Sequence, residues 1–380
     1  MQQDIIAFDA KRIVRNGTGL GSYGRTLVND LAALGRYRLL LYAPDAGRDE
    51  LRCQVPESQT VSYRYPSGLG QWLKSWWRTW GVVADARRDG ARLFHGLSGE
   101  LPVGIASSGM RSVVTIHDVI FLRHPEFYHW ADRKIYAWKF RQTVRQADHI
   151  IAISECTKRD IMEYGHVGED KISVIYQSYA PRFSATVDEQ TLSAVSSRYS
   201  LPGRYVLSVG SIEARKNILL AVKALQYLPQ DISLVVVGRH TAYTDTVVSY
   251  AASHGLSSRL CILHGVPDAD LPAIYGGAES FVYPSVYEGF GIPIIEAISC
   301  GLPVVACTGS CLEEAGGPDA LYVGTDDAVG MASAISQTLR GASGREERIA
   351  ASRRYIERFC GSSVAEQVAK VYRRLLDGKC

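Results

Sequence analysis

Two glutamates and two adjacent cations are the residues best spaced for chemistry in this chain. The segment FVYPSVYEGFGIPIIEAISCGLPVVA opens on an apolar run at 281–283 and reaches Glu288 in a loop. Gly289, Phe290 and Gly291 follow, helical spacing begins at Ile292, and Glu296 falls one to two turns in. Glycines let backbone approach a ligand closely. A helix start offers unpaired N–H groups and a positive dipole end, which suit phosphate. A carboxylate on each side of such an anion site can accept hydrogen bonds from hydroxyls. The pattern therefore fits a sugar–diphosphate–ribose ligand. The plain alternative is a turn with two solvated glutamates, and the strand–GxG–helix–strand context weighs against it.

Arg215 and Lys216 stand in YVLSVGSIEARKNILLAVKAL, six residues past a strand end at Val209 and just before a helical pattern. A helix N-terminus disfavours cations, so a ligand explains the pair better than solvation does. Two cations there would neutralise a diphosphate and stabilise charge as it leaves. With the charge met this way, neither a metal nor a cofactor is expected. Asp268–Ala269–Asp270 is a D-x-D, but it precedes the helical pattern LPAIYGGA and reads as a cap rather than a metal site.

In the first half, Gly17, Gly19 and Gly21 form a loop leading into a helix. Such a loop is weak evidence alone. The next strand, ending in LLLYAPD, offers only Asp45 as an acidic ribose reader, which argues against a dehydrogenase. His117 and Asp118 end a strand, where side chains of an open parallel sheet meet ligands. A packed histidine and a capping aspartate are the plain readings. His95, at the end of ARLFHG, is a weaker candidate, and Glu155 reads equally as a first-turn helix residue.

The elements that must position these residues alternate from end to end. Apolar, β-branched runs at 5–8, 38–42, 93–95, 113–116, 150–153 and 172–175 predict strands, with helices near 21–34, 131–146 and 155–164. A polar stretch over 178–203 interrupts the series and reads as a linker region. Strands then follow at 205–209, 234–237, 262–264, 281–283 and 304–306, with helices near 217–228, 243–254, 268–276 and 291–300. The end, 326–377, reads as helical throughout apart from a break at Gly361. Near-continuous apolar strands with helices between them indicate parallel sheets covered on both faces. The fold class is therefore α/β, with two doubly wound halves and a cleft between them.

Composition sets the outer bounds. The 380 residues allow two domains. A net charge of +3 is too mild to argue for nucleic acid. Cys53, Cys156, Cys261, Cys300, Cys307, Cys311, Cys360 and Cys380 are scattered without a CxxC pair, which fits free thiols in a reducing compartment. The start, MQQDIIAFDAKRIVR, lacks the apolar core of a signal peptide, and no apolar run reaches 18 residues. A cytoplasmic protein is expected.

EGFGIPIIE matches the E-x7-E motif of the GT4 family, and the chain resembles a retaining glycosyltransferase of the GT-B fold. Gly210, Arg215, Lys216 and Asn217 match that family's G-x4-RKN motif, and Gly19, Gly21 and Tyr23 its GxGxY segment. The resemblance implies two Rossmann-like domains facing across a cleft: 1–184 for the acceptor, joined by a C-terminal helix at about 362–380, and 185–361 for the sugar nucleotide. It implies that Glu288 binds donor-sugar hydroxyls and Glu296 the ribose. The amides of Gly289, Phe290 and Gly291, next to Ile292, would hold phosphates and sugar. The loop containing Val266 and Leu271 would lie near the nucleobase. His117 would contact the donor sugar near the reacting carbon. The Gly19–Gly21 loop would face the phosphates, leaving Tyr23, His95 and Asp118 as acceptor-side candidates. Catalysis would rest on His117, Glu288, Arg215 and Lys216. The family's PNG turn is replaced by Tyr176–Gln177–Ser178, a departure near the hinge or the acceptor side.

Within the family, the RKN form and the GLGSY loop most resemble mannosyltransferases. GDP-mannose is therefore the first expectation for the donor. The expected acceptor is a glycan or lipid-linked hydroxyl in surface polysaccharide synthesis, lipopolysaccharide included. A non-catalytic sugar-nucleotide-binding partner subunit and a sugar-nucleotide epimerase of the same fold are the rival readings.

QWLKSWWRTW, residues 71–80, holds Trp72, Trp76, Trp77 and Trp80 with Lys74 and Arg78. Its spacing predicts that Trp72, Trp76 and Trp80 pack on the core. The competing reading is peripheral contact with the cytoplasmic face of an anionic membrane.

Overall fold

A computed structural model describes residues 3–359 and 361–378. The chain divides into two compact units, one of residues 1–178 with 359–380 and one of residues 179–358. The first unit thus ends at Ser178 rather than at residue 184.

The first unit holds a seven-stranded sheet. Its strands are β1 (Asp4–Asp9), β2 (Tyr37–Tyr42), β3 (Val61–Arg64), β4 (Leu93–Gly96), β5 (Arg111–Ile116), β6 (His149–Ala152) and β7 (Ile172–Val174). All pair in parallel, in the order β3-β2-β1-β4-β5-β6-β7. The order reverses between β1 and β4. In such sheets ligands meet the carboxyl ends of the strands at the reversal. One face is covered by the helix Gly19–Ala33 and the C-terminal helix Gly361–Leu376, whose Val364, Ala365, Val368, Ala369 and Tyr372 enter the same core as Leu27 and Leu31. Arg36 pairs with Glu366, and the Tyr37 hydroxyl donates to the Ala369 carbonyl at 3.1 Å.

The second unit repeats the plan with six strands: β8 (Tyr205–Val209), β9 (Ser233–Val237), β10 (Leu260–Leu263), β11 (Ser280–Tyr283), β12 (Val304–Cys307) and β13 (Leu321–Val323). Their order is β10-β9-β8-β11-β12-β13, again all parallel. The reversal between β8 and β11 brings together the loops that carry Arg215–Lys216 and Glu288.

Three expectations need correction. The 178–203 stretch is not a bare linker: it contains the helix Glu189–Tyr199, capped by Asp188, which accepts from the Thr191 amide at 2.8 Å. The polarity that suggested a linker is that helix's solvent face, since Val195 is its one fully buried side chain. The last stretch is not continuously helical: Ala328–Ser336 and Arg345–Ile356 are separated around Gly341 and Gly344, both at positive φ. Trp72, Trp76 and Trp80 do not pack on the core. They are 85%, 54% and 49% exposed, while Trp77 is buried and donates its indole N–H to Asp85 at 2.7 Å. Trp72 lies before the helix, which starts at Lys74, and a π-helical turn over Trp77–Gly81 breaks the i, i+4 spacing beyond Trp76.

Among the described residues Cys53, Cys156, Cys261, Cys300, Cys307 and Cys311 are free thiols, and Cys360 and Cys380 lie outside them. No helix among them is long and apolar enough to cross a membrane.

Candidate active site

Arg215, Lys216 and Glu288 form one cluster in the second unit. Lys216 and Arg215 both pair with the Glu288 carboxylate, Arg215 at 2.9 Å. Lys216 also donates to the Tyr283 hydroxyl at 2.7 Å and lies 5.0 Å from the centre of its ring. Arg215 donates to the Tyr287 carbonyl at 2.7 Å, and its own carbonyl accepts from the Val286 amide at 2.9 Å. The two loops are thus laced together by side chain and backbone. Asn217, in left-handed conformation, ends the short turn Ala214–Lys216 and starts the helix Ile218–Ala224. It is tied by its side-chain amide to the Thr325 carbonyl at 2.8 Å.

Burial alone would push the Glu288 carboxyl up, but Lys216 and Arg215 outweigh it and hold it at about 2. Burial would likewise neutralise Lys216, and the Glu288 carboxylate keeps it charged. Two cations against one carboxylate leave a net positive charge at the strand reversal, which suits an anion even with Glu288 in place.

The Glu288 loop is held from behind by Cys311. Its buried thiol shares its one hydrogen between the carbonyls of Glu288 at 3.1 Å and Phe290 at 3.0 Å. Peptide bonds are planar and trans here, so a carbonyl turned toward Cys311 turns the following N–H away from it. The N–H groups of Gly289 and Gly291 therefore point to the face opposite the thiol. Gly291 has φ +117° and begins the helix Ile292–Ser299, a conformation that side-chain-bearing residues rarely adopt.

Glu296 lies in that helix, partly buried, and its carboxylate accepts from the Tyr275 hydroxyl at 3.3 Å. Burial raises its carboxyl to about 8, against the smaller pull of Arg182. Val266 and Leu271 are both partly exposed, and they bracket the D-x-D segment. Asp268 and Asp270 form no side-chain cap. Asp268 pairs with Arg182 at 3.1 Å, and Asp270 with Arg198 at 2.8 Å and the Tyr199 hydroxyl at 2.6 Å. Gly210, at φ +151°, ends β8, and its carbonyl lies where a side chain on Gly238 would have to stand.

In the first unit, His117 directly follows β5 and is buried. Its Nε2 meets the Leu97 carbonyl at 2.8 Å, and its Nδ1 meets the Gln177 amide nitrogen at 2.9 Å. This fixes Nε2–H as donor and Nδ1 as acceptor. Burial lowers the ring to about 4, so it is neutral at pH 7. A donor contact through this ring therefore requires one of those bonds to exchange. Gln177 belongs to the segment that replaces the PNG turn, so that departure acts on His117 directly.

Tyr23 stacks edge-on against His117 at 4.8 Å and shares its hydroxyl with Thr115 at 3.0 Å. Asp118 accepts from the Ile120 amide at 3.2 Å, and Glu155 takes its place in the first turn of a helix capped by Ser154. His95 is placed in the core rather than at a ligand surface: it is fully buried, with Nδ1 on the Tyr372 hydroxyl at 2.6 Å and Nε2 on Thr115 at 2.8 Å. Gly21 meets a packing need, since a side chain there would collide with the Asn16 carbonyl, whereas Gly19 faces open space.

Tyr283, Tyr287 and Cys311 complete the second-unit site and were not singled out from sequence. Tyr283 was legible as the last residue of a strand ending in Pro284. Nothing local to Cys311 announced that it meets a loop some twenty residues earlier.

Two family models match the chain: glycosyltransferase family 4 over residues 17–179 and glycosyl transferases group 1 over residues 196–354. O-antigen chain mannosyltransferase B of Escherichia coli is 29% identical, over 94% of this chain and 96% of its own. The serotype-specific mannosyltransferase WbdA of Escherichia coli is 31% identical over 60% of this chain, a match spanning 29% of its own length. Among solved structures, sucrose-phosphate synthase from Thermosynechococcus elongatus gives a TM-score of 0.79 at 20% identity, covering 99% of this chain and 100% of that one. WaaG, a glycosyltransferase involved in lipopolysaccharide biosynthesis, gives 0.72 at 16%, covering 96% and 99%. With one model on each sheet, and the motif residues gathered at the strand reversal, the chain belongs to the GT4 glycosyltransferases and has their GT-B fold.

Proposed function

We propose that this chain is a retaining hexosyltransferase of surface polysaccharide synthesis that moves mannose from GDP-mannose to a hydroxyl of a glycan or lipid-linked acceptor. The observation that carries the reading is the buried cluster of Arg215, Lys216 and Glu288 at the carboxyl ends of β8 and β11. The mannose assignment draws on the mannosyltransferase relatives in O-antigen synthesis.

In this mechanism the donor diphosphate sits against Arg215, Lys216 and the start of the helix Ile292–Ser299. These groups stabilise its charge as the glycosidic bond breaks. Glu288, held ionised, accepts from donor-sugar hydroxyls, and Glu296 accepts from the ribose. His117 contributes from the first unit near the reacting carbon, and the acceptor oxygen approaches on the leaving-group side. The charge is met by protein groups, so no metal or cofactor is assigned. The exposed Trp72, Trp76 and Trp80, with Lys74 beside them, form a peripheral contact for an anionic membrane surface.

Purified protein incubated with GDP-mannose and a mannose-terminated acceptor should yield an α-linked product by NMR. An inverted anomeric centre would overturn retention. Turnover of UDP- or ADP-sugars in place of GDP-mannose would overturn the donor assignment. Donor isomerisation without transfer would identify an epimerase, and binding without any turnover a partner subunit.

A further inference from the structure

The first unit contains a pocket that none of the motif residues line. It lies between the helical stretch 74–88 and the helix Trp130–Gln146, beside the carboxyl ends of β1 and β4 where that sheet's strand order reverses. About 80 Å³ of it is open to the centre of a water molecule. A cavity of roughly 150 Å³ takes a benzene ring whole, so a six-membered ring enters this one in part and rests the remainder on the exposed Trp138.

Its floor is a closed ionic network. Arg78 donates from Nε to both oxygens of Asp9, at 3.1 and 3.0 Å, and from a terminal nitrogen to Glu100 at 2.7 Å. Lys139 donates to the other Glu100 oxygen at 3.0 Å. The Asp9 side chain is only 8% exposed. Burial alone would raise Glu100, but Arg78 and Lys139 hold it at about 2. Trp77, the 55%-exposed Trp138 and Gln142 also line it.

This chemistry selects its ligand. Two acids and two bases cancel, so the lining gives no net attraction to a phosphate or carboxylate. The charged floor disfavours a lipid tail, which would strip water from it without replacing the hydrogen bonds. A neutral ring with hydroxyls on its rim and C–H groups on its face satisfies both surfaces. Its hydroxyls donate to Glu100 and Asp9 and accept from Arg78, Lys139 and Gln142, while its face lies on the indole of Trp138.

The geometry points to a binding site for a neutral pyranose ring of the acceptor glycan, with Trp138 as its platform and Gln142 and Glu100 as its hydroxyl readers. That the ring belongs to the acceptor rests on the transferase reading above. That the pocket holds a neutral sugar does not.

Saturation-transfer NMR on the full chain, with methyl α-mannoside, α-glucoside and α-galactoside as probes, tests it. At least one probe should bind, with affinity falling at least tenfold in Trp138→Ala and about fivefold in Gln142→Ala, and largely restored in Trp138→Phe. GDP affinity, read at the second unit, should be unchanged in each variant, and an unaltered urea-unfolding transition should show that the first unit still folds. The same variants should raise the KM for a mannobiose acceptor and leave the KM for GDP-mannose unmoved. Absence of binding by all three probes would overturn the site, as would binding that Trp138→Ala leaves intact. A probe that competes with GDP-mannose rather than with mannobiose would overturn the assignment to the acceptor. Probe binding that depends on Trp138 in a protein that turns over no nucleotide sugar would uphold the pocket and sink the transferase reading alone.

Discussion

Arg215 holds one carboxylate oxygen of Glu288 at 2.9 Å while Lys216 takes the other, so both cations proposed for the diphosphate are engaged by the residue proposed for the sugar. Glu288 therefore competes with the leaving group for the same cations. Replacing it by glutamine should separate binding from turnover: GDP binds more tightly, and transfer falls by about 10²–10³. Titration calorimetry with GDP beside an initial-rate assay checks this; weaker GDP binding in Glu288→Gln contradicts it. Lys216→Ala should also lower the rate by about 10²–10³ and destabilise the fold by about 1.5–3 kcal/mol, because the buried carboxylate loses one of its two cationic partners and keeps Arg215.

The Glu288 carboxyl is depressed to about 2, so its contribution to stability is present above its ordinary range and is lost as pH falls from there through about 2. Activity should show no ionisation of this group between pH 5 and 9. A rate profile with an acidic limb near pH 5 that disappears in Glu288→Gln would count against it.

Glu296 behaves in the opposite sense. Its carboxyl is raised to about 8, so the fold favours the protonated form, and that contribution fades as pH rises from the ordinary carboxylate range through about 8. A ribose that donates two hydroxyl hydrogens needs the ionised form. Donor affinity should therefore increase from pH 7 to 9 in the native protein and stay flat in Glu296→Gln. A flat profile in both removes Glu296 from the ribose.

Cys311 fixes two carbonyls of the Glu288 loop, and loss of those bonds should loosen the backbone that presents Gly289 and Gly291. Cys311→Ala is expected to raise the donor KM several-fold and cost about 1–3 kcal/mol in urea unfolding. Cys311→Ser keeps a donor and should recover most of both. Equal defects in the two variants would show that the thiol only fills space.

Gly21→Ala places a methyl group on the Asn16 carbonyl at the start of the helix Gly19–Ala33 and should lower the melting temperature of the first unit, whereas Gly19→Ala, which meets nothing, should not. Differential scanning fluorimetry separates them. Equal melting of the two variants would contradict the clash.

Trp72, Trp76 and Trp80 are the exposed aromatic group next to Lys74, and their replacement by serine should reduce co-sedimentation with anionic vesicles at low salt. Neutral vesicles should bind neither protein. No binding of the native chain to anionic vesicles at low salt ends the membrane reading.

The parallel architecture was legible because buried strands announce themselves as apolar runs. Tyr205–Val209 is predicted to the residue, and β1, β2, β5, β11 and β12 to within two. β3 and β13 were missed because each is a short edge strand with partly exposed positions, and neither forms a long apolar run. At the site, Arg215, Lys216 and Glu288 could be read from loop position and charge. The bonds from Cys311 and Gln177 could not, since each joins segments distant in sequence and neither residue type signals its partner. His95 was misplaced for a related reason: a strand end near a ligand face and a strand end beneath a helix look alike until the helix bearing Tyr372 is in position.

The helix Gly361–Leu376 shares its core with residues from the first strands of the chain. Its Val364, Val368, Val371, Tyr372 and Leu375 are buried there, at about 1.5–3 kcal/mol for each large apolar side chain removed from water. That sum is comparable with the entire net stability of a domain. The first unit therefore cannot close its core until a stretch of chain lying beyond the second unit in sequence has docked onto it.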